Sequence, residues 1–417
     1  MKKIVCLILA FTIFSVFQIS TVSASDKFDD LISKWVTHLC GSLENSTNSS
    51  LTSYLSTTAS TAKSQQQSMA ANPVTFLWSD SPLGTSSASI ANSFAKIKQM
   101  ALGYAPPGAV SGSYTAYRNP TLLSAITTGL DFMYANGYNE SVNAVTGWYD
   151  NWWHWEIDAP DKITDILSML GNDLNAATRA NMLKAVDYFC PAPDRANLEP
   201  SYTYMFQGAN RAWRSKVVIL SGALQKNNSK TAEGVAKLAP TYNYVTTGEG
   251  FYRDGTFIAH TAFSYAGGYG KSLLEYLGCI FNMISGSQFD VSADDKMILY
   301  DIINKTFIPG LESGEFMDMF RGREISRYNY NAHAAANTTL RAMLMIGSTA
   351  PEPYRSKFLG IVKEQNRLDV TNGIYSGAAI DERIALNAVL NDTTIANVPQ
   401  TPFHQSFPKG DRVVHRQ

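Results

Sequence analysis

Cysteine is scarce in this sequence of 417 residues, with four in all: Cys6, Cys40, Cys190 and Cys279. Cys6 sits in an apolar N-terminal run. The other three are too few and too scattered for a disulfide framework, and one must stay unpaired within the chain. No CxxC and no HExxH occurs, so the sequence offers no metal-ligand motif. Charge of one sign is lacking too: 34 Lys and Arg stand against 35 Asp and Glu, a net charge of −1. Without a basic excess, nucleic-acid binding is unsupported, and any anionic ligand must be met by local basic residues. Runs of alternating β-branched residues are rare, which argues against a β-rich fold.

What the chain does have begins at its N-terminus. Lys2 and Lys3 precede the apolar run Ile4 to Phe17, and Val22-Ser23-Ala24 offers small residues for cleavage. The run is short for a transmembrane helix and is followed by polar residues. Residues 1–24 therefore read as a secretory signal peptide, and the mature chain as extracellular, with no membrane attachment after cleavage. Losing both lysines takes the net charge to about −3. Hydrophobic residues at 45% with charged residues at 17% give ample material for a core. Asn-x-Ser/Thr sequons, among them Asn139, Asn304 and Asn337, permit glycosylation in a eukaryotic host.

The Ser-, Thr-, Asn- and Gln-rich stretch at 41–72 reads as a helix-and-loop entry region, and beyond it helical spacing dominates. Leu122, Leu123, Ile126, Leu130 and Met133 share one face, as do Ile163, Ile166, Leu167 and Leu170. Pro160 stands early in the latter helix and Gly171 stops it. Further helices follow through Met182–Phe189, Val217–Leu224, Leu273–Ile280, Ala334–Met345 and Tyr354–Glu364, and Ser292 with Asp295 opens another. The expected fold is all-α, with helical hairpins closing into a bundle or an α/α toroid.

Four segments rich in aromatic, Asn, Arg and Gly residues read as loops: Trp148–Asp158, Tyr202–Arg214, Gly248–Tyr269 and Met317–His333. On a helical scaffold they point to one composite cleft. The adjacent indoles of Trp152 and Trp153 each need a partner for N–H, which suits a sugar-stacking platform as well as a core. Asn210 in Gly208-Ala209-Asn210-Arg211 reads as a turn former or a site amide. His260 and Tyr269 supply a base and an acid if they meet in space. Arg321, Arg323 and Arg327 can grip carboxylates, or form a solvated loop with Glu324 as internal partner.

Together and in this order, the stretches NWWHWEIDAPDKITDILSML, GANRAWRSKVVILSGAL, GFYRDGTFIAHTAFSYAGGYG and MDMFRGREISRYNYNAHAAA resemble polysaccharide lyase family 8, which includes hyaluronate, chondroitin AC and xanthan lyases. The resemblance runs from about residue 120 onward and is thin before that. It implies an α/α toroid over residues 25–395. Residues 396–417 resemble the linker and the first stretch of the family's β-sheet domains, which implies that those domains are missing here. It also implies a secreted enzyme that cleaves uronate polysaccharides by β-elimination, without metal or cofactor. The expected partner is the anionic polysaccharide, and the expected state a monomer.

By motif match, Asn210 takes the place of the asparagine that neutralises the uronate carboxylate, His260 that of the general base and Tyr269 that of the acid. Arg323 and Arg327 match cleft arginines, and Trp152, Trp153 and Tyr204 an aromatic patch. The chemistry asks for such groups. The C5 proton lies beside a carboxylate, and an amide or guanidinium aimed there lets the developing charge move onto oxygen. A neutral His can then take the proton, and Tyr can protonate the leaving oxygen; some lyase schemes give Tyr both transfers. His154 stands where many relatives have another polar residue. Two alternatives stay open: a non-catalytic carbohydrate-binding remnant, and an α/α-barrel glycoside hydrolase using Glu156, Glu249 or Asp254.

Overall fold

The structure, a computed structural model, describes residues 26–44, 48–143, 146–198, 206–328, 330–371 and 373–417. Expectations that fall on residues 1–24 and on Tyr204 lie outside these.

Among the described residues the chain is mainly helical. The first half holds α1 (Lys27–Cys40), α2 (Thr52–Ser68), α3 (Ser87–Tyr104), α4 (Pro120–Asn136), α5 (Ala159–Leu170), α6 (Ala176–Phe189) and α7 (Gly208–Leu224). The second holds α8 (Asn228–Ala236), the short α9 (Ala239–Tyr242), α10 (Lys271–Ile284), α11 (Ala293–Ile302), α12 (Ala332–Thr349), α13 (Tyr354–Leu368) and α14 (Ile380–Asn391). Short antiparallel pairs decorate them: β1 (Val110–Ser111) with β2 (Tyr114–Thr115), and β6 (Leu311–Glu312) with β7 (Glu315–Phe316). A three-stranded sheet is formed by β3 (Gly250–Phe251), β4 (Phe257–Ala259) and β5 (Phe263–Ser264). A terminal hairpin is formed by β8 (Phe403–Phe407) and β9 (Arg412–Arg416).

Helix α3 packs on α5, α5 on α7, α7 on α10 and α10 on α12, an inner arc; α2, α6, α8 and α13 back it from outside. Helix α1 touches α5, α7, α10 and α14, and a small cluster of Leu51, Leu55 and Ile380 ties α2 to α14. This is the expected α/α toroid. Its helix signals are local. Asn119 caps α4 ahead of Pro120, accepting from the N–H groups of Thr121 and Leu122. Ser292 Oγ accepts from Asp295 N–H at 3.1 Å, as the sequence predicts.

Charge is buried where the inner helices meet. Asp165 of α5 accepts from Lys216 of α7 and Lys98 of α3, both at 2.5 Å, and from the Trp35 indole of α1 at 2.8 Å. The two ammonium groups overcome the cost of burial and hold the Asp165 carboxyl below its ordinary range. One buried carboxylate thus fixes four helices in register, since a one-turn slip would leave it unpaired. Cys40 and Cys190 are buried thiols and Cys279 is half-buried; none of the three is in a disulfide.

Two loop expectations need correction. Tyr202–Arg214 is not loop to its end: α7 starts at Gly208, so Asn210 lies in a helical first turn. Residues His154–Asp158 form a π-helical turn that runs directly into α5. The terminal stretch, expected as a linker and the first stretch of the β-sheet domains, forms a hairpin packed against the sheet β3–β4–β5. Phe407 is fully buried with its ring 5.2 Å from Phe320, and Asp254 accepts from Lys409 N–H at 2.8 Å.

Candidate active site

The sheet β3–β4–β5 carries the first group. Ala259 pairs with Phe263, leaving His260, Thr261 and Ala262 as a tight loop. His260 (φ 50°) and Thr261 (φ 68°) are both left-handed. Such backbone costs about 1–3 kcal/mol per residue and is least tolerable for β-branched Thr. Local bonds hold it: Thr261 N–H donates to Glu249 Oε1 at 2.9 Å, and Thr261 Oγ1 donates to the His260 carbonyl at 2.6 Å. The strain therefore fixes where the imidazole points.

The imidazole is half-buried. Its Nε2 lies 3.2 Å from Arg323 Nη2, and its ring meets Tyr269 edge-on at 4.4 Å. A guanidinium only donates, so Nε2 is the acceptor and the proton of the neutral ring is on Nδ1. Burial lowers the His260 pKa, Arg323 and Arg327 lower it further, and Glu249 opposes them. His260 is thus a neutral imidazole at neutral pH, the form a base requires.

Tyr269 comes from a π-helical turn, Ala266–Gly270, that leads into α10. Gly268 is needed there, because a Cβ would lie 1.8 Å from the Tyr265 ring. Tyr265 packs beneath, 5.5 Å from Tyr269 and 6.1 Å from His260. Asn210 enters from α7, whose N-terminal end is positive by the helix dipole. Asn210, Glu249, His260 and Tyr269 line one cavity of ≈ 210 Å³. It continues past Gln207 and Gly208 into a second of ≈ 370 Å³ lined by Arg211 and Thr247.

On the other flank, Trp153 stands 5.6 Å from Trp213, and Trp213 stands 6.1 Å from Tyr269. Trp153, Trp213 and Tyr276 line a third cavity of ≈ 230 Å³. Trp152 lines none of the three and packs edge-on against Phe206 at 5.2 Å. The turn that presents Trp153 is tied down by Glu156, whose Oε2 accepts from the fully buried Arg214 of α7 at 2.8 Å. Its Oε1 accepts from the N–H groups of Asn197 and Leu198. His154 faces Asp158 at 3.3 Å within the same turn.

The three arginines part company. Arg323 is exposed and reaches His260. Arg327 is exposed and faces Glu324 at 3.9 Å, outside the cavity of His260. Arg321 is buried and bonded to Asp318 and the Tyr330 carbonyl, so it is a structural post rather than a ligand group. The sequence reading did not single out Trp213 or Tyr265, and it weighed Glu249 only as a hydrolase carboxylate. Trp213 had a signal, being one helical turn beyond Asn210 on the same face. Among the described residues no group of three side chains could hold a metal ion.

Comparisons with known proteins agree with this fold. Residues 35–364 match the family model described as polysaccharide lyase family 8, N terminal alpha-helical domain. The likeness thus reaches well upstream of residue 120. A xanthan lyase of Bacillus sp. (strain GL1) is 30% identical over 410 residues, covering 97% of this chain and 42% of that one. A hyaluronate lyase of Thermasporomyces composti is 29% identical over 402 residues, covering 95% and 49%. The chain therefore spans less than half the length of these curated relatives. Among solved structures, Paenibacillus xanthan lyase superposes with a TM-score of 0.84 at 30% identity, over 94% of this chain and 36% of that one. A Streptomyces coelicolor A3 chondroitin AC lyase in complex with chondroitin sulphate gives 0.84 at 29% identity, over 94% and 52%.

Proposed function

Because this chain belongs to polysaccharide lyase family 8, we propose that it is a secreted enzyme that cleaves a uronate polysaccharide by β-elimination. The observation that carries the reading is the convergence on one cleft of a neutral His260, Tyr269, Asn210 and the Arg323 guanidinium. Lys2, Lys3 and the apolar run Ile4 to Phe17, read as a signal peptide, support secretion, and the similar lyases named above support a substrate of hyaluronan, chondroitin or xanthan type. The chain acts as a monomer in this reading.

The uronate carboxylate sits against the Asn210 amide at the positive end of α7. Arg323 now donates to His260 Nε2, and a carboxylate is the stronger acceptor. Substrate binding draws Arg323 onto the carboxylate and frees the Nε2 lone pair. His260 takes the C5 proton, and the charge spreads onto the carboxylate oxygens between Asn210 and Arg323. The C4–O bond breaks as Tyr269 gives its proton to the leaving oxygen, and a C4=C5 double bond forms. The proton held by His260 returns to Tyr269 through the edge contact or solvent, and no water is consumed. Trp153 and Trp213 stack the sugar rings that flank the scissile bond.

A glycoside hydrolase needs two carboxyl groups facing one bond. Among the described residues Glu249 is the only carboxylate lining the cavity of His260, and it holds the Thr261 N–H. Glu156 is buried against Arg214, and Asp254 is bonded to Thr256 and Lys409. Product NMR after digestion of hyaluronan, chondroitin and xanthan tests the reading. A vinyl proton at C4 of a new non-reducing end is expected; saturated ends throughout would overturn it.

A further inference from the structure

Tyr265 stands behind the catalytic group, and no step of the mechanism uses it. It follows β5 directly and precedes the π-helical turn that carries Tyr269. Its side chain is fully buried. The ring is wedged between two stretches of backbone. One is Gly268 in the turn of Tyr269. The other is Gly322 (φ 53°), the residue before Arg323, where a Cβ would lie 2.7 Å from Cδ2 of the ring. Both the left-handed backbone and the close approach call for glycine at 322. The backbone that leads into Arg323 therefore rests on the Tyr265 ring, and the ring sets the spacing between the Tyr269 turn and the Arg323 loop.

Packing alone would be served better by phenylalanine. The Tyr265 hydroxyl is enclosed, and among the described residues it makes no hydrogen bond of ordinary geometry. An enclosed polar group left unpaired costs stability. The hydroxyl does feel a cation. Burial pushes its pKa up, the Arg323 guanidinium pulls it down, and Glu324 adds to the rise. The ring also lies 6.1 Å from the His260 imidazole, whose Nε2 is 3.2 Å from Arg323 Nη2. Phenol, guanidinium and imidazole thus form one cluster behind the cleft.

A guanidinium carries five N–H donors in a rigid fork and accepts nothing. In the free chain the fork reaches His260 Nε2. Turned onto a uronate carboxylate, it spends two N–H groups on the two oxygens and has others left for a fixed acceptor. We propose that Tyr265 is a positioning residue for Arg323: its hydroxyl accepts from the guanidinium as this turns from His260 to the substrate carboxylate, and holds it there. The ring supplies the fixed distance, and the hydroxyl, unpaired until then, supplies the catch. The inference rests on the lyase reading for its ligand and adds to that reaction a residue it did not include.

Calorimetric titration with oligosaccharides of hyaluronan, chondroitin and xanthan tests this, in the full chain carrying Tyr269→Phe so that the ligand is not consumed. Adding Tyr265→Phe should weaken binding of the best ligand about tenfold. Adding it where Arg323→Met is already present should change nothing, because the hydroxyl then has no guanidinium to hold. A ring that only packs predicts no loss in either background. The Tm of Tyr265→Phe should equal or exceed that of the unaltered chain, since an enclosed unpaired hydroxyl is removed. Undiminished binding in Tyr265→Phe, an equal loss with and without Arg323, a lowered Tm, or no binding of any of the three oligosaccharides would overturn the proposal. Failure of the lyase reading would instead appear as the expected binding pattern with no unsaturated products from the unaltered chain.

Discussion

Replacing Arg214 with Met should loosen the aromatic wall of the cleft from within. Arg214 is fully buried and donates to Glu156 Oε2 at 2.8 Å, to the Glu156 carbonyl at 3.0 Å, twice to the Ala192 carbonyl and once to the Arg195 carbonyl. Summing five bonds would overstate the effect, because the unfolded chain makes them with water. Removing one member of a buried ion pair costs about 3–5 kcal/mol, since the partner charge is stranded. Burial already raises the Glu156 carboxyl against the pull of Arg214, so Glu156 can take up a proton once alone. That keeps the cost toward the lower end of the range. Unfolding entropy of about 2.1 cal/mol/K per residue gives roughly 0.9 kcal/mol/K for this chain, and hence a Tm lower by about 3–5 °C. Glu156→Gln retains an acceptor for Asn197 and Leu198 and strands a cation that keeps three carbonyl partners, so it should cost less. Thermal unfolding followed by circular dichroism measures both. A shift below about 1 °C for Arg214→Met, or a larger loss for Glu156→Gln, would refute the assignment of this pair as the anchor of the turn.

Other consequences can be measured separately. The folded pKa of His260 lies below its ordinary value through burial first and Arg323 second. The neutral ring is therefore favoured in the fold, and its stabilising contribution is present above about 6.5 and lost as pH falls through the folded value. The acid limb of kcat/KM should lie below the ordinary His value and move up in Arg323→Met; a limb that does not move contradicts the contact. Trp153→Ala should raise KM about tenfold with kcat little changed, the loss of one stacking face; a fall in kcat alone would contradict this role. Phe407→Ala should cost about 3–5 kcal/mol and lower hydrogen-exchange protection across residues 250–264; unchanged protection would show that the terminal hairpin does not brace the catalytic sheet.

The toroid was legible wherever a helix buries one apolar stripe between clear punctuation. Helix α5 begins near Pro160 and ends at Gly171 in sequence and structure alike. Helix α2 was legible only as part of a helix-and-loop region because it packs through small residues, Ala59 and Ala62 among them: a Cβ on Gly103 would lie 2.3 Å from that of Ala62. Close packing by Ala, Ser and Gly leaves little hydrophobic periodicity to read. The start of α7 was missed for a different reason. Arg214 and Lys216 are buried in that inner helix as parts of ion-pair networks, so its pattern looks polar where it is most enclosed. At the site, Asn210, His260, Tyr269 and Arg323 were recognisable by motif, but their meeting depends on the left-handed loop at His260 and the π-helical turn before α10, neither of which leaves a local periodic signal. Arg321 was misjudged because arginine spacing alone does not tell which guanidinium faces inward.

The central claim is that this cleft abstracts a proton from C5 of a uronate and expels the C4 oxygen. An absorbance time course for the conjugated C4=C5 carboxylate, with the purified chain and hyaluronan, chondroitin and xanthan, tests it most directly, with Tyr269→Phe and His260→Ala run alongside. The account predicts rising absorbance with at least one polymer in the unaltered chain and none in either variant. A flat trace with every polymer, or a rise that survives Tyr269→Phe and His260→Ala, would contradict it.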